Sequence, residues 1–87
     1  MLPHPNESQA SVVDALRTAI ELEIPDSRVG VTGGGGHYRI EVDSIAFNDK
    51  SMLEQQRMVY AAIAHLMTGD RAPVHAIDKL KTNVVAR

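Results

Sequence analysis

Imidazole is the metal-binding chemistry this chain offers: 87 residues hold four histidines and no cysteine. His37 and His75 stand out because each falls where a loop gives way to a strand-like run, whereas His4 lies in a proline-rich start and His65 late in a helical stretch. Neutral imidazole suits a borderline metal, but two ligands fall short of the four that a closed site takes. No thiolate is present, and neither histidine lies on a helical stretch that would bring a carboxylate three or four residues away onto its own face. The pair could supply half of a metal site, with a partner's thiolates supplying the rest. Taken singly, each also reads as an ordinary surface or structural histidine.

Other chemistries find less support. Gly33 to Gly36 form a run of glycines. A phosphate-binding loop needs Gly-Lys-Ser/Thr opening a helix, and here His37 and Tyr38 lead into a strand. The run reads instead as a flexible hairpin loop, or as a place where missing side chains let a partner approach the backbone. There is no Gly-x-Ser-x-Gly elbow and no cysteine nucleophile, and Asp43 and Asp49 flank a turn without forming an evident acid–base pair. These absences point to a non-enzyme. Lys79, Lys81 and Arg87 make a small basic patch that serves solubility or meets an acidic partner, glutathione or nucleic acid. The formal net charge of −2 argues against a general nucleic-acid binder, whose affinity rests on excess Lys and Arg. Met52 and Met58 would be partner surface if exposed and core if not.

The elements that must position these residues can be read from hydrophobic period. One domain is the default for this length, and 44% apolar content supports one modest core. Residues 1–6, with two prolines, read as a flexible arm, and 7–87 as a single domain. Asn6 with Gln9 has the spacing of a capping box. Val12, Val13, Leu16, Ala19 and Ile20 then recur at helical spacing, and Pro25 ends the helix. Arg28–Thr32 and His37–Asp43 alternate as strands joined by the glycines, with Tyr38, Ile40 and Val42 inward and His37, Arg39 and Glu41 outward. Asn48-Asp49 is a turn, and Ser51 with Glu54 opens a helix running to about Met67, with Gly69 beyond its end. Two apolar stripes on that helix, one through Met52, Val59, Ile63 and Leu66 and one through Leu53, Tyr60 and Met67, predict burial on two sides or two short helices with a kink. Val74, Ile77 and Leu80 belong to a last strand whose broken alternation predicts a bulge or an early end. A strand reached through a helical crossover runs parallel to its neighbour. The sum is an α+β, two-layer domain: a three-stranded mixed sheet with helices on one face. No apolar run reaches about 18 residues, so no segment spans a membrane. The start lacks a secretory pattern, and the absence of cysteine fits a reducing compartment, which together indicate a cytoplasmic protein.

Three blocks, in order, resemble the BolA family, in particular its short bacterial branch typified by IbaG. They are Val31 to Ile40, with its glycine loop and His-aromatic pair; Phe47 to Ser51 followed by Glu54 to Tyr60; and Val74 to Ile77 with Lys81-Thr82. The resemblance covers nearly the whole chain from the first helix to Thr82. It implies a class II KH-like fold, helix-strand-strand-helix-helix-strand, without the Gly-x-x-Gly clamp of RNA-binding relatives. It implies an adaptor that pairs with a monothiol glutaredoxin and glutathione and shares a [2Fe–2S] cluster not bound by this chain alone, in iron–sulfur trafficking or sensing linked to stress response. By position, His75 and His37 would be the metal ligands, with Gly34, Gly35, Gly36, Lys79 and Lys81 at the partner surface. Some family members act instead as DNA-binding regulators of stress and morphology genes, which makes DNA the alternative partner.

The chain departs from the family pattern in three places. Asp49 replaces a turn glycine, Ile77-Asp78-Lys79-Leu80 is one residue longer than the usual strand, and the ending Thr82 to Arg87 lacks the common Thr-Pro-x-Glu-Trp tail.

Overall fold

A computed structural model describes residues 7–86. The elements are α1 (Glu7–Glu23), β1 (Ser27–Gly34), β2 (His37–Ser44), a single 3-10 turn (Ile45–Phe47), α2 (Met52–Met67) and β3 (Ala76–Val84). The Asn6 cap and the arm it follows lie outside the described residues. The sheet order is β1-β2-β3: β1 and β2 are antiparallel, and β3 returns parallel to β2 after the α2 crossover. Leu16, Ile20 and Ile24 from the α1 segment, Val31, Tyr38, Ile40 and Val42 from the sheet, and Val59 and Ile63 from α2 close one core between the helical layer and one sheet face. Phe47 and Val74 are buried in it from the connections.

The alternation expected for the hairpin holds: Tyr38, Ile40 and Val42 are buried while His37, Arg39 and Glu41 are exposed. The hairpin loop is tighter than the glycine run suggests. Gly33 and Gly34 belong to β1, pairing with Tyr38 and His37, and only Gly35 and Gly36 turn the chain. Both have positive φ, +61° and +88°. A two-residue turn of that kind matches the twist of its strands and is open to glycine with little strain.

Two expectations for the helices need correction. The pair of helices after the hairpin is the short 3-10 turn followed by one unbroken α2, with no kink within it. The second apolar stripe of α2 is buried only at its end: Met67 packs half-buried against the core, but Leu53 is 54% exposed and Tyr60 42%, and Met52 of the first stripe is 58% exposed. The reason is geometric. A two-layer domain covers one side of the helix, and α2 spends that side on Gln55, Val59, Ala62 and Ile63. Met58, by contrast, packs half-buried against the core.

The caps follow the sequence. Ser51 Oγ accepts from the Glu54 amide at 3.1 Å, and Glu54 Oε1 accepts from the Ser51 amide at 2.9 Å, a complete capping box. Gly69 has φ +95°, and Asp49 takes the left-handed conformation at φ 63° that its turn demands and that Asp tolerates better than most residues.

Candidate metal-ligand corner

The corner is built by the hairpin turn and the start of β3. The parallel ladder begins with His37 opposite Ala76, so the residue before Ala76 meets the turn itself. The amides of His75 and Ala76 both donate to the Gly36 carbonyl, at 2.8 and 3.0 Å. These bonds tie the approach to β3 to the glycine turn. Val74, buried beside them, donates its amide to Leu66 O at 3.2 Å and anchors the segment to α2. His75 is exposed, but its ring lies over Gly36, which is itself buried. A Cβ on Gly36 would run into His75 Cδ2 and stand 3.0 Å from Cγ. Of the glycines expected to yield to a partner, Gly36 therefore serves the chain's own histidine. Gly35, at the tip, is exposed with open space around it, and Gly34 is half-buried in the ladder.

The expected irregularity in β3 is a bulge. Tyr38 pairs with Ile77 but Arg39 pairs with Lys79, so Asp78 is an extra residue opposite nothing. It leaves Ile77 and Leu80 against the core and puts Asp78 and Lys79 on the outer face. There His37 Nδ1 lies 3.1 Å from Asp78 Oδ1. Sequence reading marked the added length of this strand but not what its carboxylate would reach. The only available signal was that a bulge re-aims a side chain.

Beyond the bulge, Arg39, Lys79 and Lys81 line an open depression with Gly30, Thr32 and Glu41. Among the described residues none of the three cations has an ion-pair partner. Glu41, which faces Lys81 across the ladder, is instead held by Asn83 Nδ2 at 2.9 Å. The depression belongs to the sheet face away from the helices, where alternation leaves Arg39 and Glu41 exposed. Arg87, the third member of the expected basic patch, lies outside the described residues.

The structure thus brings His37 and His75 to one end of the sheet, both exposed, with the Gly35-Gly36 turn leading into His37 and bonded through Gly36 to His75, and Lys79 and Lys81 along the adjoining face. His65 is exposed on α2, in a groove lined by Ala15, Ala19 and Leu22 of α1. Among the described residues no group of three or more His, Asp or Glu side chains is placed to hold a metal. No helix among them is long and apolar enough to cross a membrane.

Residues 7–84 match the family model of BolA-like proteins. Three solved structures share the fold. The BolA domain of SufE1 from Arabidopsis thaliana has TM-score 0.66 at 19% identity, covering 85% of this chain and 92% of that one. A BolA-like protein from Rickettsia prowazekii has TM-score 0.59 at 24% identity, covering 84% and 94%. A BolA homologue from Coxiella burnetii has TM-score 0.57 at 27% identity, covering 79% and 82%. No curated protein matches the sequence.

Proposed function

Since this chain belongs to the BolA-like protein family, which its residues 7–84 match, we propose that it is a non-enzymatic adaptor of the cytoplasm that pairs with a monothiol glutaredoxin and shares a [2Fe–2S] cluster in iron–sulfur trafficking or sensing. The observation that carries the proposal is the convergence of two exposed imidazoles on one end of the sheet, His75 fixed to the glycine turn through Gly36 O and His37 leading out of that turn.

The donor set fits half a cluster. With no cysteine in the chain, the sulfur ligands come from the glutaredoxin and its glutathione, and His75 and His37 supply nitrogen. Replacing thiolates with imidazoles on one iron raises the cluster's potential, which suits a labile or sensing cluster. Exposed Gly35 leaves room at the hairpin tip, and Lys79 and Lys81 offer cations to the carboxylates of glutathione or of the partner.

The test is a titration of the cluster-loaded glutaredoxin dimer with this protein, followed by visible circular dichroism. Wild type should give a new spectrum. The same new spectrum with His75→Ala would sink the ligand assignment.

The cations beside Gly30, which have no ion-pair partner among the described residues, also favour a second reading, a DNA-binding regulator of stress genes. It requires affinity that falls steeply with salt, about one logarithmic unit of slope per phosphate contacted. Binding that is absent near physiological ionic strength removes it.

A further inference from the structure

We infer that Asp78 is a positioning residue for His37: it fixes the imidazole as the Nδ1–H tautomer and leaves Nε2 as the nitrogen that meets the metal. The inference rests on the reading of His37 as an iron ligand.

The argument begins with the bulge. In a regular ladder the outer-face residue of β3 beyond Ala76 would be Lys79, since Ile77 points to the core. A lysine cannot accept a hydrogen bond, and it would set a cation beside a metal-binding imidazole. The inserted residue puts a carboxylate there instead, with Oδ1 3.1 Å from His37 Nδ1. A carboxylate only accepts, so the proton of the shared contact sits on Nδ1. In neutral imidazole the other nitrogen then carries the lone pair.

The geometry also restrains the ring. His37 is held at its backbone by Gly34 on one side and Ala76 on the other, so the contact with Asp78 limits its remaining freedom about the side-chain torsions. A carboxylate on the far nitrogen of a metal-bound histidine fixes tautomer and orientation and raises ligand basicity. His75 has no such partner among the described residues; its orientation comes from packing on Gly36. The two imidazoles are therefore oriented by different means, one by a charge and one by a surface.

The experiment has two arms, both on the full chain. In the protein alone, long-range proton–nitrogen correlation through the imidazole of His37, at about pH 8.5 and so above the usual imidazole range, reads the tautomer directly. The wild type should show Nδ1–H with Nε2 unprotonated, and Asp78→Ala should move the population toward Nε2–H. A wild-type ring in the Nε2–H form, or a tautomer unchanged in Asp78→Ala, overturns the inference while leaving the ligand reading standing. In the second arm the cluster-loaded glutaredoxin is titrated with wild type, His37→Ala and Asp78→Ala. Loss of Asp78 should weaken formation of the shared complex about 10- to 100-fold, the range for removing such an outer partner. Should His37→Ala match wild type, the ligand reading itself fails, and the role of Asp78 toward iron fails with it whatever the tautomer shows.

Discussion

The imidazole of His75 occupies the space that a side chain on Gly36 would need, with Cγ 3.0 Å and Nε2 3.2 Å from where a Cβ would stand. The two residues are also joined through the backbone, His75 N to Gly36 O at 2.8 Å. Gly36→Ala should therefore do two things. The left-handed φ of +88° and the crowding should together cost about 1–3 kcal/mol, read as a lower urea midpoint. The His75 ring should be pushed from its seat, which would show as shifted imidazole resonances and a weakened complex with the cluster-loaded glutaredoxin. Gly35→Ala is the control. Its φ is +61° but nothing lies near its Cβ, so it should carry conformational strain of about 1 kcal/mol and leave His75 in place. Equal effects of the two substitutions on His75 would refute the packing role.

A second prediction concerns the bulge. Asp78 and Lys79 both face outward between Ile77 and Leu80, so removing Asp78 joins the Ile77–Tyr38 and Lys79–Arg39 pairs into one regular ladder without turning any residue to the wrong face. A variant lacking Asp78 should fold, with stability within about 1 kcal/mol of wild type. Its His37 should lose the hydrogen bond while the sheet keeps its register. Slippage of Leu80 or Thr82 out of the core, seen as broad or shifted amide spectra, would show that the bulge is a structural necessity.

The third lies at the far end of β3. Thr82 Oγ1 donates to Gln55 Oε1 at 2.7 Å in the core, and Gln55 Nε2 donates to Lys50 O at 2.9 Å. This buried chain joins α2, the turn before it and β3. Thr82→Val leaves the Gln55 oxygen without its donor, and an unmatched buried polar atom costs about 1–3 kcal/mol. Adding Gln55→Met removes the orphan and should recover part of that loss. A denaturation series in which Thr82→Val is neutral would mean that water reaches the site.

How much was legible follows from which signals are local. Alternation placed Tyr38, Ile40 and Val42 inward and His37 outward, and Ser51 with Glu54 fixed the start of α2, because both depend on neighbours a few residues apart. The broken period at Ile77 and Leu80 marked a bulge or an early end for the same reason, and the outcome is the bulge. Long-range facts were not available in that way. Nothing local reveals that Asp78 meets a side chain 41 positions earlier, or that Gly36 is covered by His75. The burial of α2 was overstated because helical spacing counts apolar residues but not the layers available to cover them. Leu53 and Tyr60 remain outside for want of a third layer. Nor does local pattern reveal Ser44, whose buried hydroxyl donates to Pro25 O at 2.8 Å and accepts from the Ala46 amide at 3.0 Å, pinning the end of α1 to the end of β2.

The last prediction is a pH dependence at the start of α2. Hydrogen bonding to the Ser51 amide, and then to the Ser51 hydroxyl, holds the Glu54 carboxyl below its ordinary value of 4.5, with smaller help from Lys50 and Arg57. A carboxyl whose folded pKa is depressed favours folding when ionised. Its contribution is fully present above the unfolded value of 4.5 and is lost as pH falls through the lowered folded value. Acid unfolding of the wild type should therefore include a component in that window that is missing in Glu54→Gln, so the stability difference between the two narrows on acidification. Ser51→Ala should move the Glu54 titration part of the way back toward 4.5, since the backbone bond can remain, and should lower stability by about 1 kcal/mol through the lost cap. A Glu54 titration midpoint, followed by carboxyl carbon shifts, that is the same in wild type and Ser51→Ala would show that the hydroxyl plays no part in holding the carboxylate.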